Sequence, residues 1–282
     1  MLGGIGRLFR GQMNKRIGLL YFSPTATTKM ICRAVASGMG AADPKVMDMT
    51  RPGSREDMTS RPESFMADLD HVIVGAPVYF GRLPAPAREC LASIKGKGKG
   101  ASALVVYGNR DHGSALRQMA GILMQNGFNV HSAGAFIGQH SYSAIVPVAM
   151  GRPDKADLEK ASAWGMNSAG VSKSLALEDI PIQADFFSKS GKGRPLKPAF
   201  IAKRCVECGI CADRCPMRIL APDTGTCPSR AAEALCIGCM ACVFHCRQKA
   251  RVVRASAPMA LVIKYILRKA AKERREPLIV LP

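Results

Sequence analysis

The stretch Ile17-Gly-Leu-Leu-Tyr-Phe22, followed at once by Ser23-Pro-Thr-Ala-Thr-Thr28, decides the fold of the first half of the chain. Six consecutive uncharged, mostly apolar residues indicate a strand that is buried on both faces, as is typical of parallel sheets. The hydroxyl-rich loop leads into Thr28–Gly38, where the residue pattern is helical. The stretch therefore predicts a strand, a loop and a helix that packs on a parallel sheet.

The same alternation of strand and helix continues to residue 136. We predict strands at Ile17–Phe22, Val46–Met49, His71–Ala76, Ala103–Tyr107 and Val130–Phe136, and helices at Thr28–Gly38, Ala85–Lys95 and Gly113–Asn126. Such alternation is typical of a doubly wound α/β domain, which has helices on both faces of a parallel sheet. Ligands of these sheets bind beyond the C-terminal ends of the strands, so the loops there are the candidate site.

Three of these loops carry candidate binding residues. In the first loop, hydroxyls and backbone N–H groups meet at the start of a helix, which suits a phosphate dianion. This loop has neither the glycine pattern nor the lysine of the common nucleotide-binding motifs. The second loop offers aromatic side chains, and the third offers polar groups. The candidate residues are Ser23, Thr25, Ala26, Thr27 and Thr28, then Pro77, Val78, Tyr79, Phe80 and Gly81, then Gly108, Asn109, Arg110 and Asp111.

Two copies of one cysteine pattern lie near the C-terminus. The first copy is Cys205-x2-Cys208-x2-Cys211-x3-Cys215, and the second is Cys236-x2-Cys239-x2-Cys242-x3-Cys246. In a run of this kind three thiolates hold one [4Fe–4S] cube, and the fourth reaches the other cube. The spacing predicts two crossed clusters. Their ligands would be Cys205, Cys208, Cys211 and Cys246 for one cluster, and Cys236, Cys239, Cys242 and Cys215 for the other.

Structural zinc is the alternative for these cysteines, although zinc sites usually show paired CxxC arms or mixtures of Cys and His. His245 is expected to be a bystander, because the cysteines already complete both ligand sets. Cys227, which lies between the two runs, is expected to be a loop cysteine. Cys32 and Cys90 lie in helical patterns and are expected to be small core residues.

Both halves of the chain resemble known families. Residues 203–251 resemble a bacterial two-cluster ferredoxin, apart from Arg247, where that family usually has proline. The three loops resemble those of flavodoxins, which bind FMN, apart from Ala26, where flavodoxins commonly have glycine. The order of the two modules resembles the flavodoxin–ferredoxin fusion proteins of anaerobes.

This resemblance implies a flavodoxin-like parallel sheet of strand order 2-1-3-4-5, followed by a small α+β two-cluster ferredoxin domain. It implies FMN and two [4Fe–4S] clusters as cofactors, in an electron-transfer protein that relays electrons between them and an external redox partner. In similar flavodoxin loops a peptide turns its carbonyl toward N5 of the flavin. We expect a peptide beside Gly81 to do so here, because glycine permits the turn.

The domain boundaries are expected to follow the two modules. Residues 1–176 are the predicted flavodoxin-like domain, residues 177–200 a linker, and residues 201–255 the predicted ferredoxin domain. Residues 256–282 are expected to form a basic amphipathic helix and tail. We expect this helix to pack on its own domain with its charges in solvent, the alternative being an anionic membrane surface.

The formal net charge of +19 over 282 residues suggests nucleic acid as a first candidate partner. Aromatic residues make up only 6% and are scattered, so they form no base-stacking surface and we expect no nucleic-acid binding. Negatively charged cofactors would offset part of the charge, and the remainder suits an acidic redox partner protein. No spanning segment or signal peptide is recognisable, so a cytoplasmic location is expected. The oligomeric state is left open.

Two other functions remain as alternatives. One is an FMN-dependent reductase of a small molecule, with Tyr79, His112, His140 or Tyr142 as an acid near the flavin ring. No acid–base pair is recognisable from the spacing of these residues, which disfavours this function. The other is an iron–sulfur sensor that binds nucleic acid through its basic C-terminal half.

Overall fold

A computed structural model describes residues 15–183, 196–221, 226, 229–255 and 257–282. The strands of its central sheet are β1 (Ile17–Tyr21), β2 (Lys45–Asp48), β3 (His71–Pro77), β4 (Gly100–Tyr107), β5 (Asn129–Ile137) and β8 (Leu278–Val280). They lie in the order β2-β1-β3-β4-β5-β8. The first five are parallel, and β8 is antiparallel to β5. The order of the parallel strands is that of flavodoxin-like doubly wound folds, as expected from the sequence.

Helices cover both faces of this sheet. They are α1 (Thr27–Gly38), α2 (Pro52–Ser60), α3 (Pro62–Met66), α4 (Ala85–Ser93), α5 (Ala115–Gln125) and α6 (Lys155–Ala169). α1 and α6 pack against each other, and their buried residues form one core with the sheet. Buried residues of α2 to α5 form a second core on the opposite face. Two layers of helix around a sheet leave the strands buried, as their unbroken apolar runs predict.

The contact between α1 and α6 depends on two glycines. A Cβ at Gly38 would collide with the carbonyl of Ser162, and a Cβ at Gly165 would collide with the carbonyl of Val35. The two backbones therefore approach more closely than any larger residue would allow. Trp164 of α6 fills the adjacent core, with its ring centroid 5.4 Å from that of Phe136.

The structure differs from the expected elements in two places in this domain. α2 and α3 were not expected, although Pro52 and Pro62 occupy first-turn positions, where proline favours a helix start. The last helix of this domain, α6, begins directly after Asp154, because the Asp154 side chain caps it. The Asp154 carboxylate accepts the N–H of Asp157 at 3.1 Å, and the reciprocal bond is 3.0 Å.

The second half begins with a small α+β unit. It has two antiparallel strands, β6 (Lys197–Phe200) and β7 (Arg251–Arg254). Three short helices lie between these strands in the sequence, namely α7 (Ile210–Asp213), α8 (Arg230–Ala234) and α9 (Ala241–Phe244). Half of the predicted linker, residues 184–195, lies outside the described residues, as does Cys227. The cysteine runs therefore occupy the loops and short helices between the two strands.

The last part of the chain returns to the first domain. Helix α10 (Ala257–Ala271) is the expected amphipathic helix, and β8 then joins the edge of the central sheet. The strand was not expected, because its three residues Leu278–Val280 give too short a pattern to separate from a loop. Within the described ranges, none of the helices is both long and apolar enough to cross a bilayer.

Candidate functional site

A cleft opens beyond the C-terminal ends of β1, β3 and β4, where the doubly wound fold predicts a ligand. All three predicted loops contribute to its lining, although not with every residue. The lining residues from these loops are Thr25, Thr27, Pro77, Val78, Tyr79, Phe80, Gly81, Gly108, Arg110 and Asp111. Ser23, Ala26, Thr28 and Asn109 are described by the structure but are not among the lining residues.

The first loop presents the open end of α1 to the cleft. Ala26 is the N-cap residue and has a positive φ of 68°, the conformation that glycine adopts most easily. An alanine offers no side-chain oxygen to the N–H groups of the first turn, so these groups are available to an anion. The hydroxyl of Ser23 instead accepts the N–H of Lys29 at 3.0 Å, which fixes the loop on the helix.

Thr28 adds an unsatisfied hydroxyl at the same helix start. Its side-chain oxygen is buried and, among the described residues, has no hydrogen-bond partner. A buried hydroxyl without a partner is costly, and such groups are often completed by a ligand or water. The helix start therefore combines N–H groups and hydroxyls but no cation from its own loop.

The second loop is a tight turn. The N–H of Tyr79 donates to the carbonyl of Arg82 at 3.0 Å, and the N–H of Arg82 donates back at 3.2 Å. Phe80 and Gly81 lie between them with φ of 55° and 73°, which identifies a type I′ turn. The Gly81 carbonyl accepts the N–H of Ser114 at 2.9 Å, which ties the second loop to the third.

This turn opposes the peptide rotation expected beside Gly81. Rotating the central peptide of a type I′ turn gives a type II′ turn, which requires glycine at its first central position. Phe80 occupies that position, whereas Gly81 occupies the second. A carbonyl turned toward the cleft would therefore strain Phe80.

The third loop divides its residues between two tasks. Arg110 and Asp111 line the cleft and pair with each other at 2.9 Å. Asn109 is buried and faces the C-terminal segment instead. Its amide donates to the carbonyls of Ala270 at 2.8 Å and Glu273 at 2.7 Å, and its oxygen accepts the N–H of Arg275 at 3.2 Å. Asn109 therefore holds the end of α10 in position.

The sequence reasoning did not identify the residues that close the cleft. Three apolar residues of α10, namely Ile263, Ile266 and Leu267, line it from above. Gly238, from the second cysteine run, also lines it. The apolar spacing of α10 was visible in the sequence, but the element on which it packs is set by the tertiary structure.

His140 and Tyr142 also line the cleft, as the reductase alternative requires. Burial and the nearby Arg110 together lower the pKa of His140 to about 4. The ring is therefore neutral near pH 7, and its Nδ1 accepts the N–H of Tyr142 at 3.0 Å. His112 is also buried, and burial lowers its pKa. Neither histidine is a charged acid at neutral pH, which leaves Tyr79 and Tyr142 as the acids that the reductase alternative offers in the cleft.

The two cysteine runs share one backbone conformation. Glu207 and Gly238 occupy equivalent positions and have φ of 53° and 69°. Gly209 and Met240 are equivalent and have φ of 69° and 60°. Each run continues into a short helix, α7 or α9. Left-handed residues that recur in register turn successive backbone N–H groups inward, which is the geometry of anion-binding concavities.

The second run and the last cysteine of the first run come together. Burial raises the pKa of Cys239, and the neighbouring Cys242, Cys215 and Cys236 raise it further. The same four cysteines line one apolar cavity, together with Pro216 and Met240 among others. These are the four predicted ligands of one cluster. The crossing of Cys215 from the first run to the second is the arrangement that the repeated spacing predicts.

The remaining predicted ligands are more exposed. Cys208 is exposed, whereas Cys205, Cys211 and Cys246 are partly buried. The described cysteines are free thiols, and Cys32 and Cys90 are buried core residues, as expected. No three His, Cys, Asp or Glu side chains of the described residues lie close enough together to hold one metal ion.

Three contacts join the cysteine runs to the cleft domain. The Nε2 of His245 lies 3.3 Å from the carbonyl of Pro24 in the first loop. The guanidinium of Arg55 donates to the carbonyl of Pro216 at 2.7 Å. Tyr79, whose pKa burial raises, has Cys239 among the neighbours that raise it further. The second run therefore lies beside the cleft, which Gly238 of that run helps to line.

Comparisons with known proteins were made for sequence and structure. No protein-family model matches the chain, and no curated protein matches it. Among solved structures, the rubredoxin oxygen:oxidoreductase of Desulfovibrio gigas is 19% identical with a TM-score of 0.43, over 57% of this chain. This chain spans only 37% of that protein.

Two flavodoxins are also similar. A flavodoxin from the domain Archaea is 16% identical with a TM-score of 0.38, and the match covers 55% of this chain and 96% of the flavodoxin. Flavodoxin 2 of Bacillus cereus is 17% identical with a TM-score of 0.41, and the match covers 55% of this chain and 97% of the flavodoxin.

Proposed function

We propose that this chain is an electron-transfer protein that binds FMN in the cleft and two [4Fe–4S] clusters on its cysteine runs. In this proposal electrons pass between the flavin, the clusters and an external acidic redox protein. The observation that carries the proposal is the junction of the two sites. Gly238 lines the cleft and lies next to Cys239 in the chain, and Cys239 neighbours Tyr79 of the second loop.

The residues of the cleft fit FMN. The start of α1 offers the first-turn N–H groups and the hydroxyls of Thr25 and Thr27 to the phosphate. Tyr79 and Phe80 supply aromatic surface for the ring, and backbone groups near Gly108 are available to its polar edge.

The residues of the cysteine runs fit two cubane clusters. Cys236, Cys239, Cys242 and Cys215 share one apolar cavity and would hold the cluster nearer to the cleft. Cys205, Cys208, Cys211 and Cys246 would hold the other cluster, on the more exposed side. The recurring left-handed residues turn N–H groups toward the sulfurs, and hydrogen bonds to cluster sulfurs are a general determinant of cluster potential.

FMN exchanges one or two electrons and each cubane exchanges one, so together they can pair or split electrons. The protein itself would keep solvent away from the flavin. Ile263, Ile266 and Leu267 of α10 cover the cleft with hydrocarbon. A covered cleft suits exchange of electrons through the protein better than entry of a substrate, because electrons need no opening.

The first experiment measures the cofactors. The full chain is purified anaerobically, and iron, acid-labile sulfide and flavin are quantified. We expect about eight iron atoms, about eight sulfides and about one FMN per chain, the content of two cubanes and one flavin. Colourless protein, or protein with zinc in place of iron, would overturn the proposal.

The second experiment tests the relay. The clusters are reduced with a low-potential donor protein, and the flavin absorbance is followed. We expect the flavin to bleach at a rate that does not depend on the concentration of this protein, because the transfer is intramolecular. Cys239→Ser should slow bleaching at least tenfold while FMN remains bound.

The matched control is Cys90→Ser, which changes a buried cysteine of the first domain that is not in either run. It should retain the wild-type bleaching rate. Equal rates in Cys239→Ser and wild type would show that electrons reach the flavin without passing the second run.

A further inference from the structure

A buried arginine beside the second cysteine run has unused hydrogen-bonding capacity. Arg251 is the first residue of β7 and is only 6% exposed. Its Nε and Nη2 atoms are buried and find no hydrogen-bond partner within the part of the chain that the structure describes. The guanidinium lies over the ring of Phe200, with its central carbon 4.8 Å from the ring centroid. The Phe200 ring stabilises the guanidinium through a cation–π interaction, but it provides no hydrogen-bond acceptor for Nε and Nη2.

Arg251 lies near Cys242, one predicted ligand of the cluster nearer to the cleft. β7 packs against α9, which carries Cys242. Arg251 is close enough to Cys242 for the two side chains to interact electrostatically. A buried guanidinium with unmade hydrogen bonds is unfavourable unless an anionic group completes it. A cluster with four thiolate ligands is a group of that kind.

The repeat shows that this arginine is specific to one of the two runs. Residues 205–220 and 236–251 align without a gap, and the left-handed residues coincide at three positions. The third of these pairs is Arg218 and Lys249, with φ of 48° and 51°. Two residues later the first run has Leu220, and the second run has Arg251. The runs therefore share a backbone but differ by a buried positive charge.

We propose that Arg251 raises the reduction potential of the cluster held by Cys236, Cys239, Cys242 and Cys215 above that of the other cluster. This inference rests on the proposed function, because it requires both clusters. Reduction adds one negative charge, and a buried cation with two free N–H donors stabilises the more negative form. One electron leaves the exposed cluster, which is oxidised, and enters the cluster beside the cleft, which is reduced. Arg251 thus directs electrons toward the cleft.

The test is a redox titration of the anaerobically purified holoprotein, followed by electron paramagnetic resonance. We expect two separate potentials in wild type. Arg251→Leu, which gives the second run the residue of the first, should lower the higher potential so that the two converge. The expected shift is at least tenfold in the reduction equilibrium, or 59 mV for one electron. Arg251→Lys keeps the positive charge but loses the paired N–H donors of the guanidinium. Its higher potential should therefore lie between those of wild type and Arg251→Leu.

The matched control is Arg254→Leu, which removes an exposed arginine from the same strand. It should leave both potentials unchanged, because solvent screens an exposed charge. Wild-type clusters with equal potentials would overturn the inference, even if Arg251→Leu did not fold. The inference would also be overturned if Arg251→Leu left both reduction potentials unchanged. If Arg251→Leu did not fold, unchanged potentials in Arg251→Lys would overturn it instead. Protein that contains no iron and sulfide would overturn the proposed function as well.

Discussion

At the scale of single residues, the contact between the second and third loops depends on Gly113. A Cβ at this position would lie 2.6 Å from both the Cα and the carbonyl oxygen of Gly81, and the residue has a φ of 54°. Backbone atoms cannot move aside as the end of a side chain can. The two loops that line the cleft would therefore separate if Gly113 were replaced.

We predict that Gly113→Ala costs about 3 kcal/mol of unfolding free energy and weakens FMN binding at least tenfold, because strain and collision add. Chemical denaturation and fluorescence titration with FMN measure the two effects. Gly98→Ala is the control, since Gly98 has a φ of 80° but open space around its Cβ position. It should cost only about 1 kcal/mol and leave FMN binding unchanged. Equal losses in the two variants would contradict the predicted collision.

A second prediction at this scale concerns His71, which lies inside the sheet. Burial, with smaller effects from the neighbouring His131 and Lys15, lowers its pKa to about 3. Its Nε2 lies 2.9 Å from the hydroxyl of Ser102. An unfolded histidine takes up a proton below about pH 6.5, whereas the folded one does not until about pH 3. The contribution of His71 to the free energy of unfolding is therefore fully present above the unfolded pKa of about 6.5. It is lost as the pH falls from there toward about 3.

The expected slope from this one residue is about 1.4 kcal/mol per pH unit between about pH 6 and pH 4. Urea unfolding at a series of pH values measures it. His71→Gln should flatten the profile by about this slope, because glutamine does not titrate. Burial also lowers the pKa of the neighbouring His131, and its contribution to the pH dependence is present in both proteins. A profile that is identical in wild type and variant would contradict the assignment.

At the scale of secondary-structure elements, α10 is the part of the chain that closes the cleft. Its buried residues Ile263 and Leu267 belong to a small core with Met240 of the second cysteine run. Its end is fixed by Asn109 through the carbonyls of Ala270 and Glu273. One helix therefore contacts the flavodoxin-like domain and the cysteine runs together.

We predict that Asn109→Ala costs about 2–3 kcal/mol, because it removes three hydrogen bonds to partly buried backbone groups of the C-terminal segment. Hydrogen exchange should become faster in the last turns of α10, and bound FMN should dissociate faster. Asn129→Ala is the control, since Asn129 makes one exposed bond, to the carbonyl of Gly98 at 2.8 Å. It should cost less than about 1 kcal/mol and leave exchange in α10 unchanged. Unchanged exchange in Asn109→Ala would refute the role of this side chain.

At the scale of the whole molecule, the two halves are joined by a strand at the edge of the central sheet. β8 pairs with β5 through Leu278 with Ala135, Ile279 with Gly134 and Val280 with Ala133. The chain thus leaves the first domain, forms the cysteine runs, covers the cleft and returns. An exposed edge of β5 would be available to another chain without this strand.

Truncation after Glu276 should therefore lower the thermal midpoint and promote self-association, as size-exclusion chromatography would detect. The control is Ile279→Thr, which changes an exposed side chain of β8 but keeps its backbone pairing. It should behave as wild type in both measurements. A truncated protein that remains monomeric with an unchanged midpoint would show that β8 is not needed to protect this edge.

Much of this organisation was predictable from local pattern. The unbroken apolar run Ile17–Phe22 predicted a buried parallel strand, and the loop after it predicted one wall of the cleft. Asn109 was predicted to face the ligand but holds α10 instead, because its partners at Ala270 and Glu273 are distant in the sequence. Arg251 was not recognised either, because its importance depends on burial and on missing partners.

The sequence by itself determined the buried strands of the first domain and the loops at the cleft, because periodicity acts over a few residues. The strand order was implied by the resemblance to flavodoxins, and the assignment of Cys215 to the cluster of the second run stays a prediction from the repeated spacing. Only the tertiary structure decided that α10 covers the cleft, that β8 extends the sheet and that Gly238 and Cys239 lie beside Tyr79. These arrangements bring together segments that are far apart in the chain. The physical reason is that burial and unsatisfied polar groups are properties of the packed molecule, and local sequence does not specify them.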